Sequence, residues 1–366
     1  MSSSARLALL LVGVASFIIM GAGQSLFGPA LPGYQRAFQI STAAAGVVIS
    51  AFFAGCFMAV AGMYFVGNRL SPRSGLAGIL LGSALMAAAP AWSLTLLGAW
   101  IFGLGYGCLT AIFNPRILAA FGPRGPSMLS LVNAAFSIGA IAAPLVFVWL
   151  GSDPRLVFWI LAALTALAFA AAGPAGRAKA SGPANSSGFR LHLPILGFGL
   201  IAIGIEVSLV GLGPTALIRV GIAESRAAEL LSLFFVAFLA GRITLVFFAH
   251  RLPAFGIYTA GTAIAALCAL GCALGNPVYF FPPMGFATGL LFPGYYVTGT
   301  RKMGEDARVA PLIIASGLIG AIISPLIYAQ LIPLMGERGF FWLIAAVAGT
   351  ITLLALASYR QMQRLN

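Results

Sequence analysis

Long uncharged stretches constrain the fold of this chain more than any other feature. Eight of them lack Asp, Glu, Lys and Arg entirely, at residues 7–35, 37–68, 74–115, 125–152, 156–176, 252–300, 309–336 and 339–359. A helix needs about 20 apolar residues to cross a bilayer. The chain is 61% apolar and 7% charged, whereas soluble domains carry about 25% charged residues. Its composition therefore excludes a soluble enzyme and indicates a membrane protein.

These stretches predict twelve helices. Two are long enough for two helices each and contain turn signals, namely 74–115 with its turn at 90–93 and 252–300 with its turn at 275–277. Two further spans, at about 191–217 and 227–249, are each interrupted by a single charge. We therefore predict an all-α integral membrane protein with twelve transmembrane helices.

The basic residues predict the orientation. With the N-terminus inside, fourteen of them fall on the cytoplasmic side and five outside, at Arg36, Arg155, Arg219, Arg226 and Arg338. This bias follows the positive-inside rule. We expect a multi-pass protein of the inner (cell) membrane with both termini in the cytoplasm. Since the net charge of +13 is scattered between apolar runs, no nucleic-acid partner is expected.

Enzymes and channels fit the sequence poorly. A catalytic centre would need clustered metal ligands or a nucleophile–base pair, whereas the two histidines are distant and the four cysteines lie inside apolar spans. A channel would need a ring of carbonyls or charges, and none is recognisable. We expect no enzyme activity, no metal site and no cofactor.

The chain is similar to itself at a shift of about half its length. Residues 21–28 (GAGQSLFG) match 204–211 (GIEVSLVG) at a shift of 183. The sequence SAFF at 50–53 matches SLFF at 232–235 at a shift of 182. IGAIAAPL at 138–145 matches IGAIISPL at 319–326 at a shift of 181. A nearly constant register across three helix pairs indicates a duplicated unit.

The duplication predicts three segments. An N-terminal six-helix half occupies 1–173, a polar cytoplasmic linker 174–190, and a C-terminal six-helix half 191–366. Parallel six-helix halves resemble the architecture of the major facilitator superfamily. Such transporters bind substrate near the membrane midplane, where the halves meet, and rock around it.

Several motifs are similar to those of fucose-permease-like members of that superfamily. They are GPALPGYQRAF at 28–38, GLGYGCLTAIFNP at 103–115, the stretch 133–144, GIE at 204–206, GR at 241–242 and LFP at 291–293. Two acidic residues of the sugar/proton symporters are replaced, by Gly28 and by Thr110. The loop 67–73 also lacks the acid usual in the superfamily. The proton-coupling residues of those symporters therefore do not carry over, and fucose itself is not implied.

Glu206 is the candidate proton-coupling residue. It lies 16 residues after Arg190, about 24 Å along a helix and so close to mid-bilayer. A carboxyl group there costs about 2.5–3.5 kcal/mol, and burial disfavours its charged form. A group that is neutral in one conformation and charged in another is what proton coupling requires. The alternative is a permanently protonated Glu that is hydrogen-bonded between helices.

Arg242 is the second charge inside a span. It lies nine residues before Arg251, about 13 Å from the cytoplasmic end. This depth makes a direct pair with Glu206 doubtful. We assign Arg242 to gating or to an ion pair, with structural bonding to backbone carbonyls as the alternative.

Polar residues on other spans are candidate ligands of a substrate. They are Gln24, Tyr106, Thr110, Asn114, Asn133, Tyr295 and Tyr296. Their amides, hydroxyls and phenols suit a small polar solute held by hydrogen bonds. The alternative is that they serve as helix-to-helix contacts, which are frequent in membranes.

Together these features predict a secondary transporter. We expect it to move a small polar solute, sugar-like or a related metabolite, by alternating access with proton coupling. The expected partners are this solute, protons and the lipid bilayer, and the expected state is a monomer. The alternative is a proton-driven exporter of drugs or metabolites, in which Glu206 would be the counter-charge of a lipophilic cation.

Overall fold

The computed structural model of the protein describes residues 3–66, 70–173, 189–248, 251–304 and 308–363. The chain divides into two compact units, Met1–Ser181 and Gly182–Asn366. The predicted linker 174–190 lies outside the described residues except for Phe189 and Arg190, and so does His250. The boundaries of the predicted halves stay a prediction.

In its described residues, each unit contains six long helices. The first contains α1 (Ser3–Phe38), α2 (Thr42–Val66), α3 (Pro72–Ala88), α4 (Trp92–Phe121), α5 (Gly125–Trp149) and α6 (Pro154–Ala171). The second contains α7 (Leu193–Arg219), α8 (Glu224–Phe248), α9 (Ala254–Leu274), α10 (Pro277–Met303), α11 (Val309–Leu331) and α12 (Gly339–Ala357). A five-residue helix, α13 (Tyr359–Gln363), follows them.

These elements confirm the all-α membrane fold with twelve long helices in the described part of the chain. Ten of the twelve are long and apolar enough to cross a membrane by length and composition. The other two are α3, with 17 residues, and α10, which contains the three prolines Pro282, Pro283 and Pro293. Proline is tolerated in membrane helices because neighbouring groups satisfy the freed backbone carbonyls.

The two units have the same internal pattern of helix packing. In the first unit the main pairs are α1 with α5, α2 with α4, α3 with α4, and α3 with α6. In the second they are α7 with α11, α8 with α10, α9 with α10, and α9 with α12. Adding six to each helix number converts the first set into the second, as duplication of one unit would produce.

Glycines bring these pairs together at equivalent positions. A Cβ atom on Gly103 of α4 would overlap the backbone carbonyl of Phe52 in α2. The counterpart at a shift of 182 behaves alike, since a Cβ on Gly285 of α10 would overlap the carbonyl of Phe234 in α8. Lipid tails are as apolar as Leu, so close backbone contact contributes much of the association between membrane helices.

His192 caps the start of α7. Its Nδ1 accepts a hydrogen bond from the Ile195 backbone N–H at 3.4 Å. Burial, together with the nearby positive charge of Lys302, lowers the pKa of His192. A neutral ring keeps Nδ1 available as an acceptor.

We expect Gly103→Ala to destabilise the protein. The added methyl group would meet the Phe52 carbonyl, which belongs to the backbone of a helix and cannot turn aside. Overpacking of this kind costs about 1–3 kcal/mol. The measurement is the thermal unfolding temperature in detergent.

The matched control is Gly62→Ala in α2, where nothing lies within 4 Å of the added Cβ. Alanine favours the helix by roughly 1 kcal/mol over glycine, so this variant should be neutral or slightly stabilised. An unfolding temperature for Gly103→Ala at or above that of the wild type would contradict the close approach of α2 and α4.

Candidate functional site

In the first unit, a hydrogen bond joins two of the predicted ligands. The Tyr106 hydroxyl of α4 donates to Gln24 Oε1 of α1 at 2.8 Å. The Tyr106 ring is held edge-on against Phe52, with ring centroids 5.2 Å apart. Both polar side chains are half-buried. The bond to Gln24 Oε1 thus also orients the N–H group of the same amide.

The next two turns of α4 carry Thr110 and Asn114. The Thr110 hydroxyl donates to the Tyr106 carbonyl of its own helix at 3.0 Å. Asn114 Oδ1 is buried and has no hydrogen-bond partner in the described structure. An amide oxygen that has lost water without gaining a donor costs free energy. Asn114 is therefore the polar group of this face with an open acceptor.

Asn133 of α5 bonds locally. Its Nδ2 donates to the Leu129 carbonyl one turn earlier at 2.9 Å, and its own carbonyl accepts from Ser137 Oγ at 3.4 Å. The structure thus joins Gln24 to Tyr106 directly, whereas the bonds of Asn133 stay within α5.

In the second unit, Glu206 lies at the midpoint of α7. Thirteen residues of the helix precede it and thirteen follow, so each end is about 20 Å away. The side chain is half-buried. Its Oε2 atom is buried and has no hydrogen-bond partner in the described structure, unlike a Glu that is hydrogen-bonded through both oxygens.

Tyr295 of α10 is another predicted ligand in the second unit. It is 1% exposed, and its hydroxyl is buried without a hydrogen-bond partner among the described residues. Two glycines make room for it: a Cβ on Gly199 would lie 2.5 Å from Cε2 of the ring, and one on Gly317 would lie 2.9 Å from the hydroxyl. Tyr295 and Glu206 also interact electrostatically.

Tyr296 occupies a different position from Tyr295. It is half-buried, and its ring stacks on Phe292 one turn earlier, with centroids 5.3 Å apart and planes at 24°. The same Phe292 ring meets Tyr295 edge-on at 5.5 Å. Sequence reasoning missed Phe292, although its spacing of four from Tyr296 was a visible signal.

Arg242 of α8 is held by an aromatic ring. Its guanidinium carbon lies 4.4 Å from the centroid of Phe238, one turn away. The positive charge of Arg242 also interacts with the Glu206 carboxyl. Phe238 was not predicted, although the i, i+4 spacing to Arg242 indicates it.

The predicted site residues offer amide, hydroxyl and carboxyl groups, which can donate and accept hydrogen bonds. Among the described residues, no group of three or more His, Cys, Asp or Glu could hold a metal ion.

Comparison with known proteins identifies a family. A sequence model described as Major Facilitator Superfamily matches residues 13–313. The L-fucose-proton symporter of Escherichia coli (strain K12) is 32% identical over 136 residues, which are 35% of this chain and 31% of the symporter. The predicted resemblance to the fucose-permease-like branch is confirmed, over a part of each chain.

Solved structures show the same fold. A mutant of the nucleoside transporter NupG has a TM-score of 0.81 at 15% identity, covering 98% of this chain and 100% of that one. FucP in the outward conformation has a TM-score of 0.65 at 20% identity, with the same coverage. A bacterial homolog of the lysosomal transporter Spinster scores 0.73 at 17% identity, covering 100% of this chain and 97% of that one. At such identities the likeness shows the fold alone.

Two buried tyrosines should respond differently to loss of the hydroxyl. Tyr258 is 0% exposed, and its hydroxyl donates to the Phe198 carbonyl at 3.0 Å. Tyr258→Phe should therefore lower the free energy of unfolding by about 1–1.5 kcal/mol. Tyr295→Phe removes a hydroxyl without a partner and should cause no loss. The measurement is chemical unfolding in detergent, and equal losses for both variants would show that the Tyr295 hydroxyl is bonded.

Proposed function

Because this chain belongs to the major facilitator superfamily, we propose that it is a proton-coupled symporter of a small polar solute. The solute is sugar-like or a related metabolite and crosses the cell's inner membrane by alternating access. Both termini face the cytoplasm, as the distribution of basic residues favours. The chain acts as a monomer, with six-helix halves at 1–173 and 191–366.

The observation that carries this proposal is the environment of Glu206. A carboxyl group at mid-helix is expensive in a membrane, and Oε2 is buried without a hydrogen-bond partner in the described structure. A buried oxygen without a partner adds to that cost, so packing stability does not explain the residue. A proton taken up from one side of the membrane would neutralise the carboxyl, and its release on the other side would restore the charge.

The departures from the sugar symporters support the same assignment. Their acidic position before the Asn-Pro pair is Thr110 here, and the acidic position in the first span is Gly28. The Thr110 hydroxyl does not gain or lose a proton near neutral pH, and it is bonded to a carbonyl of its own helix. Glu206 is the remaining acid deep in a predicted span, so proton coupling rests on it.

The open polar groups support a solute with hydroxyl groups. Asn114 Oδ1 offers an acceptor and the Tyr295 hydroxyl a donor, each without a protein partner in the described structure. Gln24, oriented by Tyr106, adds an amide N–H group. A hydroxylated solute can satisfy such groups without carrying a charge. The similarity of part of the chain to an L-fucose-proton symporter supports the same class.

We expect Glu206→Gln to abolish accumulation driven by a pH gradient while counterflow exchange stays measurable. The amide keeps the size and hydrogen-bonding capacity of the side chain but cannot gain or lose a proton. The substrate is first identified by a thermal-shift screen of sugars, organic acids, amino acids and drugs. Uptake is then measured in proteoliposomes with and without an imposed pH gradient.

The matched control is Glu229→Gln. Glu229 is an exposed carboxylate of α8 that pairs with Arg226 at 2.7 Å, and its loss should leave accumulation unchanged. Accumulation by Glu206→Gln at the wild-type level would rule out the coupling role. If Glu206→Gln instead loses binding of a lipophilic cation found in the screen, the exporter alternative holds.

Asn114→Ala should weaken solute binding. Removal of an amide that meets a solute hydroxyl should raise KM about tenfold, which corresponds to roughly 1.4 kcal/mol. Thr352→Ala in α12 is the control, because the Thr352 hydroxyl bonds to the Ala348 carbonyl of its own helix. An unchanged KM for Asn114→Ala would remove Asn114 from the binding site.

A further inference from the structure

A cavity lies at one end of the first unit, on the side that faces outward in the proposed orientation. It has a volume of about 400 Å³ and lies between the end of α1, Met86 of α3 and the segment 151–155, which leads from α5 into α6. All of its lining residues belong to the first unit. Cavities that bind small ligands have volumes of about 300–1,000 Å³, so this one is large enough for a small solute.

Tyr34 lines the cavity and has a hydroxyl group without a partner. The residue is 3% exposed, and no group of the described structure forms a hydrogen bond with its buried hydroxyl. Its ring contacts those of Phe38 and Trp92, with centroids 6.3 and 5.6 Å away. A buried Tyr hydroxyl usually has a hydrogen-bond partner, and losing water without gaining one costs free energy. Packing therefore explains the ring of Tyr34 but not its hydroxyl.

Arg155 brings a guanidinium group to the same cavity. Its side chain is exposed and forms no hydrogen bond or ion pair with the residues that the structure describes. Its backbone N–H donates to Oδ1 of Asp153 at 2.8 Å, which holds this segment in place. Arg36 and Asp153 are the other charged lining residues, so two positive charges line the cavity with one negative charge.

The second unit contains a counterpart of Arg155 that has a structural role. The sequence RLVFWILAA at 155–163 matches RGFFWLIAA at 338–346 at a shift of 183, the shift that also relates α1 to α7. The counterpart is therefore Arg338. Its Nη1 donates to two carbonyls at the end of α9, at 2.9 Å each. The guanidinium of Arg155 makes no corresponding bonds within the described part of the first unit.

The counterpart of Tyr34 at the same shift is Leu217, which is 0% exposed. The second unit fills this position with an apolar side chain, whereas the first unit has a hydroxyl group there. Both differences between the copies leave the first unit with a hydrogen-bonding group that has no partner among the described residues. Both groups belong to residues that line one cavity. The differences therefore indicate a ligand of the first unit.

We propose that this cavity binds a small hydroxylated carboxylate. The planar guanidinium of Arg155 matches the two oxygens of a carboxylate group. The Tyr34 hydroxyl can donate to such an oxygen or accept from a hydroxyl, and the Asp153 carboxylate can accept from a further hydroxyl. The excess of positive charge favours an anion over a neutral solute. Neither Glu206 nor Asn114 lines this cavity, so the proposal does not depend on proton coupling.

The test measures binding of radiolabelled D-gluconate to the purified full chain in detergent by equilibrium dialysis. The comparison is neutral D-glucitol, which has a CH₂OH group in place of the carboxylate. Gluconate should bind saturably, and glucitol should bind about tenfold more weakly because it lacks the charge-assisted contact. Absence of saturable gluconate binding, or equal binding of the two compounds, overturns the proposal.

Arg155→Gln is the main variant, because an exposed side chain without a protein partner can be replaced without loss of stability. It should weaken gluconate binding about tenfold, since the contact with the carboxylate is lost. Arg226→Gln is the matched control: Arg226 is an exposed arginine of α8 that does not line the cavity. It should leave binding unchanged, and equal effects of the two variants overturn the proposal.

Tyr34→Phe tests the hydroxyl group. The change removes a buried group that has no partner in the described structure, so the unfolding temperature should not fall. Gluconate binding should weaken several-fold, because the hydroxyl would bond to the ligand. Full binding with Tyr34→Phe contradicts the assignment of this cavity.

Asn114→Ala separates this site from the one proposed for the transported solute. It should leave gluconate binding unchanged, because Asn114 does not line the cavity. Loss of gluconate binding with Asn114→Ala and not with Arg155→Gln overturns the proposal. Loss of proton coupling in Glu206→Gln bears on the proposed function alone.

Discussion

The absence of water in the hydrocarbon core determines this structure. Each backbone N–H and C=O group there must find a partner within the protein, and a helix supplies one for nearly every residue. That requirement explains why the described chain is a set of long helices, and prolines such as Pro115 and Pro144 are tolerated inside them because neighbouring groups satisfy the freed carbonyls. It also leaves no hydrophobic force between helices, so contact depends on close packing. Gly103 and Gly285 show how this works, since each lets its helix rest on a backbone carbonyl of a neighbour.

The same constraint gives the few polar groups inside the helices their significance. A charged or hydrogen-bonding group in a membrane is expensive unless partners satisfy it. Several hydroxyls meet that condition through the carbonyl one turn earlier, as that of Thr165 does. Glu206 Oε2, Tyr295 Oη and Asn114 Oδ1 are buried without any such partner. Their cost makes them candidates for groups that a solute or a proton satisfies during transport.

The sequence predicted the fold more completely than it predicted the contacts of the candidate site residues. The uncharged stretches predicted the long helices of the described structure. The sequence could not show that Tyr106 bonds to Gln24 of another helix whereas Asn133 bonds to the carbonyl of Leu129 in its own helix. Helical spacing shows only which residues share a face of one helix. That choice depends on which neighbouring helix approaches and at which level. The aromatic partners Phe238 and Phe292 were missed because the chain has 28 phenylalanines, and a spacing of four does not by itself show which rings a side chain contacts.

The sequence alone determined the membrane-embedded class, the number of long helices and the internal repeat, because these follow from composition, from the length a helix needs to cross a bilayer, and from a constant register. Only the tertiary structure decided which polar atoms are satisfied. Whether Tyr258 finds the Phe198 carbonyl while Tyr295, equally buried, finds no acceptor in the described structure depends on helix positions that differ by a few ångströms. A hydrogen bond is lost over such a distance, whereas a pattern of apolar residues is not affected by it.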